Sequence, residues 1–250
     1  MLTVGVDLAA DPAGTAVAVV RWSAAGARLE DVVLPAADDA VLAAIRSADK
    51  VGVDCPLGWP EAFVSFVGAH QRSAVPPGSA TGDRAWRRSL AWRHTDEVVR
   101  AAVGVVPLSV AADRIAHTAL RCAFLQARLG VVDRSGAGPL VEVYPAASLK
   151  IWGLPWRGYK RPDQAAVRAA IVDGLRAEAP WLDLGAHADR CARTDHALDA
   201  VIAALSARAA ACGRATEPAP DQLAAARTEG WIALPTSPLA GLMTPSVDRG

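Results

Sequence analysis

Val4-Gly5-Val6-Asp7 and Val51-Gly52-Val53-Asp54-Cys55-Pro56 share one local design, a short apolar β run that ends on an acid. Runs this short and this apolar read as strands covered on both faces, as parallel strands are. One acid at a strand end is unremarkable. Two such strands side by side would bring their carboxylates together, and like charges that close repel unless a cation lies between them. Two further segments add acids. Leu140-Val141-Glu142-Val143-Tyr144-Pro145 places Glu142 in a third apolar strand, and Asp195-His196-Ala197-Leu198-Asp199-Ala200 sets Asp195 and Asp199 one helical turn apart on one face. An acid among apolar neighbours is costly without a partner. Hard oxygen donors with no His or thiolate among them favour Mg²⁺ or Mn²⁺ over zinc. Each acid taken singly has a plain alternative: a strand-end cap, a surface acid, or an N-terminal acid favoured by the helix dipole.

Working outward, residues 2 to 8 form a first strand, the Asp11-Pro12-Ala13-Gly14 turn follows, and Thr15 to Trp22 pairs back as a hairpin. Arg28 to Leu34 is the third strand. Asp38 to Ala48, with Val41, Leu42, Ile45 and Ala48 on one face, is a helix leading to the Lys50–Asp54 strand. From Leu57 to Pro107 the pattern loosens, with a Pro- and Gly-rich stretch from Ser73 to Ser79 and an Arg- and Trp-rich one from Arg84 to Arg100. Residues 57 to 109 are therefore expected to form a helical and loop insertion over the site. Val110 to Leu129 and Asp163 to Ala177 read as helices, and Leu140 to Tyr144 as a strand. Thr194 is expected to cap a helix from Asp195 to about Ala211 that is apolar nearly all round and hence buried. Glu229 to Pro235 is extended. One domain over 1–240 and a loose tail over 241–250 are expected.

Composition narrows the class. Of 250 residues 52% are hydrophobic and 21% charged, which is globular and rather apolar. The formal charge of +0 argues against a strongly basic nucleic-acid binder, though it permits a local basic stripe. Cys55, Cys122, Cys191 and Cys212 form no CxxC pair and read as small buried hydrophobes. No basic segment precedes the first apolar run and no run reaches the ~18 residues of a membrane span, so a cytoplasmic protein without membrane contact is expected. No phosphate-binding glycine motif is present.

Six segments in order resemble a known family. They are Gly5-Val6-Asp7-Leu8-Ala9, Val53-Asp54-Cys55-Pro56-Leu57-Gly58-Trp59-Pro60, Arg93-His94-Thr95-Asp96, Glu142-Val143-Tyr144-Pro145, the Asp195–Ala200 helix start and Glu229-Gly230-Trp231-Ile232. Over about residues 2 to 236 the chain is similar to domain-of-unknown-function family 429, regarded as predicted nucleases with a ribonuclease H-like fold. The resemblance implies an α/β fold: a mixed central sheet, three antiparallel strands followed by parallel ones, with helices on both faces. It implies Asp7 as the first-strand acid, Asp54 as the fourth-strand acid, and Asp199 with Asp195 as the acids of the last core helix. That helix is similar to the one in Holliday-junction resolvases, whose two acids stand three apart. The spacing of four here leaves open which of Asp195 and Asp199 is the principal ligand. Glu142 enters the metal set with Asp7, Asp54 and Asp199 on the family resemblance alone. The chemistry implied is two-metal phosphodiester hydrolysis.

Arg84, Arg87, Arg88 and Arg93 interleave with Trp86 and Trp92, a mixture that neutralises phosphates and stacks bases. Lys150, Arg157, Lys160 and Arg161 with Trp152 and Trp156 form a second such stretch. Arg87, Arg88, Trp92, Arg93, Asp96 and Lys150 are thus candidates to bind substrate, and nucleic acid is the candidate partner. The plain alternative is that Arg and Trp snorkel over an apolar patch. His196 points about 100° away from Asp195 on the helix and reads as a supporting residue. A divalent-metal-dependent nuclease is the leading expectation. An idle binding module of the same fold and a hydrolase of a small phosphorylated molecule are the alternatives.

Overall fold

The computed structural model describes residues 1–74 and 82–243. The chain opens with an antiparallel meander of β1 (Leu2–Asp7), β2 (Ala16–Trp22) and β3 (Ala27–Val33). Helix α1 (Asp38–Ser47) returns it to β4 (Lys50–Asp54), which lies parallel to β1 on its other side. Helices α2 (Glu61–Gln71), α3 (Arg84–Ala91) and α4 (His94–Val103) fill the stretch before α5 (Ile115–Leu129). After them come β5 (Leu140–Glu142), α6 (Pro145–Ile151), α7 (Ala165–Glu178), β6 (Leu182–Asp183), α8 (Ala188–Arg193), α9 (Asp195–Ala211) and α10 (Leu223–Glu229). The sheet order is β5-β4-β1-β2-β3-β6, mixed in direction, with helices on both faces. This is the architecture of a ribonuclease H-like fold.

The two Val-Gly-Val-Asp runs set both faces of its centre. β1 and β4 pair in register, Gly5 beside Gly52 and Asp7 beside Asp54, and in a parallel pair such neighbours share a face. Val4, Val6, Val51 and Val53 point the other way, into a core with Val41 and Leu42 of α1 and Cys122 and Leu125 of α5. On the glycine face lies α9, whose backbone comes so close that a methyl on Gly52 would stand 2.4 Å from the Ala203 carbonyl oxygen. The small side chains of Ala200, Ala203 and Ala204 allow that approach. The far side of α9 packs on Ile171, Val172 and Leu175 of α7 and Cys191 of α8. A helix enclosed on both sides needs no polar face, which is why α9 shows none.

Several boundaries differ from the sequence reading for identifiable reasons. The helix expected from Val110 starts at Ile115, because Asp113 accepts a hydrogen bond from Ser109 N (2.8 Å) and Ser109 Oγ one from Ala112 N (3.0 Å). Such side-chain bonds offer the backbone an alternative to the helix. The strand expected to reach Tyr144 stops at Glu142, since Pro145 begins α6. Thr194 stands at the N-cap of α9 with extended backbone, but its side chain makes no capping bond. Glu229, expected to open the extended segment, is instead the last residue of α10, and the chain from Gly230 onward bridges the sheet singly, Ile232 opposite Glu142. Leu239–Met243 forms a 3₁₀ turn that buries Leu242, so the expected tail is packed as far as Met243 and then lies outside the described residues, as do residues 75–79 of the Pro-rich stretch. Among the described residues no helix is long and apolar enough to cross a membrane.

Candidate metal centre

Asp7, Asp54 and Asp199 each offer one carboxylate oxygen within 4.8 Å of the others. Two come from adjacent strand ends and the third from the second turn of α9, held over the sheet by the close helix–strand packing. Asp7 and Asp54 line a cavity of about 540 Å³, whose walls are mainly apolar, with Val105, Leu108, Tyr144 and Trp156 among them. Asp199 is almost wholly buried, at 1% exposure.

Each acid has a partner. His196 Nδ1 lies 2.7 Å from Asp7 Oδ2. The Tyr159 hydroxyl donates to Asp199 Oδ1 at 2.7 Å, and Lys160 Nζ lies 2.7 Å from Asp199 Oδ2 and 3.6 Å from Asp54 Oδ2. Burial pushes the Asp54 carboxyl up to about 8 against the pull of Lys160, with the charges of Asp199 and Asp7 adding to the rise. Burial likewise takes Asp199 to about 6, again opposed by Lys160. The bond from Asp7 raises the His196 imidazole. Burial works against the Lys160 ammonium, but Asp199 and Asp54 outweigh it and raise its pKa. The whole group therefore favours added positive charge. Three hard oxygen donors, open on one side to a cavity and already drawing in an ammonium, fit a divalent cation.

Glu142 and Asp195 lie outside this three-acid group, although Glu142 lines the same cavity as Asp7 and Asp54. Arg93 grips Glu142 with two bonds of 2.7 Å, and Leu57 N donates to the same carboxylate at 2.9 Å. The guanidinium also donates to Asp96 at 2.9 Å and to the Glu229 carbonyl at 3.0 Å. Arg93 and Asp96 are thus the pair that fastens α4 to β5, although Arg93 still edges the cavity. Asp195 occupies the first turn of α9, half-buried and outside the three-acid group.

The other expected binding residues are spread more widely. Arg88 bonds Glu97 at 2.6 Å and lies 4.8 Å over the Trp92 ring, while Trp92 Nε1 reaches the Pro107 carbonyl of the cavity wall at 3.4 Å. Arg87 is exposed and bonds the Gly82 carbonyl. Lys150 donates to the Val103 carbonyl at 2.5 Å and stacks 4.7 Å over Trp156. In the sequence Lys160 falls within the basic stretch and nothing connects Tyr159 or Lys160 to the acids, whereas His196 reads as a packing or supporting residue and not as a ligand. The one available signal was the lysine beside an aromatic, which says nothing about direction. Glu229, part of the last quoted motif, accepts from Glu61 N (2.8 Å) and His94 N (2.9 Å), closing the N-termini of α2 and α4 together.

A family model, described as "Protein of unknown function (DUF429)", matches residues 5–223. The chain belongs to this family. The family match spans Asp7, Asp54, Glu142 and Asp199, and stops short of the Glu229–Ile232 segment. No curated protein and no solved structure matches the chain.

Proposed function

We propose that the chain is a divalent-metal-dependent phosphodiesterase acting on nucleic acid, with Asp7, Asp54 and Asp199 as its metal-holding carboxylates. The observation that carries the reading is the meeting of these three acids, two of which line a cavity, on a ribonuclease H-like sheet. Mg²⁺ or Mn²⁺ bound there would supply an activated water and charge stabilisation for the departing oxygen. The chain's own groups do the rest. His196 holds Asp7 and Tyr159 holds Asp199, so both carboxylates are oriented before any ligand arrives. Lys160 and Arg161 at the cavity wall place positive charge where phosphate oxygens would sit. Glu142, neutralised by Arg93, positions the Leu57 turn beside the centre and takes no direct part.

A second reading, hydrolysis of a small phosphoester, is favoured by the cavity itself. Its volume of about 540 Å³ and mainly apolar walls suit one compact molecule. One comparison separates the two readings. Purified protein with Mn²⁺ is given a labelled single-stranded oligonucleotide, bis(p-nitrophenyl) phosphate and p-nitrophenyl phosphate. Cleavage of the oligonucleotide and the diester, lost in Asp7→Asn, is the expected result. Turnover of the monoester alone would favour the small-molecule reading. No Mn²⁺-dependent turnover of any of the three would count against both.

A further inference from the structure

Of the 26 basic side chains only three are lysines, Lys50, Lys150 and Lys160. Lys50 donates to the carbonyls of Gly136 (2.6 Å) and Gly138 (2.5 Å), and Lys150 to that of Val103. Both secure loops. Lys160 differs: its ammonium faces two carboxylates of the acid group at once. At Glu142 and Asp96 the buried acids are met instead by an arginine, Arg93, which is 1% exposed and bonds Glu142 in two places. Arginine's planar fork locks onto a carboxylate, whereas a lysine is a single hydrated charge on a flexible stem.

The surroundings of Lys160 separate its backbone from its side chain. Arg168, itself 2% exposed, donates to the carbonyls of Tyr159 (2.6 Å), Arg161 (2.8 Å) and Pro162 (3.4 Å). The loop is therefore nailed in place. The Lys160 side chain is 48% exposed and borders the cavity, so rotation about its own bonds moves the ammonium from the acids to the open space. Asp199 has one oxygen on Tyr159 and the other on Lys160, so a cation that approaches the second oxygen meets the ammonium already there. An ammonium and a divalent cation repel and compete for the same oxygens.

We propose that Lys160 is an exchangeable counter-ion: it bridges Asp54 and Asp199 in the metal-free protein, leaves when a divalent cation enters, and swings into the cavity to meet a phosphate oxygen. The inference rests on the metal-centre reading above. It gives metal entry an opponent built into the chain. It also delivers the displaced charge to the side where an anionic substrate would dock.

Two measurements test the exchange. Calorimetric Mn²⁺ titration compares the wild type with Lys160→Met, which keeps most of the stem and removes the charge. At least tenfold tighter binding by Lys160→Met is expected. Reductive methylation of wild type, mapped by mass spectrometry, keeps the test valid should the variant misfold. Lys160 should react at least fivefold faster with saturating Mg²⁺ than without, while Lys50 and Lys150 keep their rates. Wild-type Mn²⁺ binding with equal or weaker affinity in Lys160→Met, and metal-independent Lys160 methylation, would overturn the exchange and leave the metal centre standing. Absence of Mn²⁺ binding in both proteins would overturn the two together.

Discussion

Gly5 lies beneath Ala200 with no room between them: a methyl on Gly5 would stand 1.9 Å from the Ala200 carbonyl oxygen and 2.3 Å from Ala204 N. These are backbone atoms of a buried helix and cannot step aside. The packing that seats α9 is the same packing that brings Asp199 to Asp7. Gly5→Ala should therefore destabilise the fold by the upper end of the ~1–3 kcal/mol usual for overpacking, or more. Gly52→Ala, which meets Ala203 at 2.4 Å, should act in the same direction. Urea unfolding measures both, and wild-type midpoints would show that the helix can lift.

Replacing Asp54 should stabilise the metal-free protein. Its carboxyl shares a buried space with Asp199, Asp7 and Glu142, while Lys160 Nζ lies 3.6 Å away. Asp54→Asn removes the repulsion and should add about 1 kcal/mol, seen as a higher melting temperature in EDTA. The same variant should lose the stabilisation that Mn²⁺ gives the wild type, because ligand-linked stability requires an intact site. A lower melting temperature in EDTA would mark Asp54 as a structural partner of Lys160.

The pH profile of metal-free stability follows from the same crowding. Asp54 titrates near 8 and Asp199 near 6 in the folded chain, both above the ~3.9 of an unfolded aspartate. Between about pH 4 and 8 the folded state holds protons that the unfolded state has released, so stability falls as pH rises through that window. His196, raised by Asp7, adds stability at low pH that is likewise lost as pH rises. Melting in EDTA from about pH 5 to 9 should show a decline, flatter in Asp54→Asn. A rise across that range would contradict the assignment.

Arg93→Met should be among the most damaging single changes. It leaves Glu142 and Asp96 buried without their shared partner, a loss of about 3–5 kcal/mol for a broken buried pair. Adding Glu142→Gln should recover part of that loss, because one stranded charge is then gone. Denaturant unfolding of the single and double variants measures the recovery. A fully additive pair would mean that the two side chains do not act through each other.

Oligonucleotide binding should weaken with salt, since released counterions enter the equilibrium. Arg87 is exposed and among the described residues bonds only the Gly82 carbonyl, while Arg88 is already engaged by Glu97 and Trp92. Arg87→Ala should therefore flatten the salt dependence more than Arg88→Ala. Fluorescence anisotropy with a labelled single strand at several salt concentrations distinguishes them, and equal slopes in all three proteins would remove this helix from the binding surface.

Much of the fold was legible because its centre is written in short-range pattern. The Val-Gly-Val-Asp runs name their own strands, and the largely apolar stretch from Ala197 to Ala211, rich in alanine, names its helix. Asp7, Asp54 and Asp199 were legible as members of a wider set that also held Glu142 and Asp195, with the choice between Asp195 and Asp199 left open, because an acid in a buried element has few places to go. Other parts depended on contacts that local sequence does not encode. Leu182–Asp183 becomes a strand only because β3 offers an open edge. Glu142 reads like its acidic neighbours until Arg93, forty-nine residues earlier, takes both its oxygens. Lys160 could be seen as basic, but its direction is set by Arg168 bonding the loop's carbonyls, a relationship without a spacing rule.

The bond between His196 and Asp7 joins residues 189 positions apart. The ribosome delivers the first acid of the centre well before the helix that carries the third. A chain interrupted between β4 and α9 carries two of the three acids and has no cover over its glycine face. The centre is thus a late product of folding: it exists only once α9 has been made and seated on the sheet.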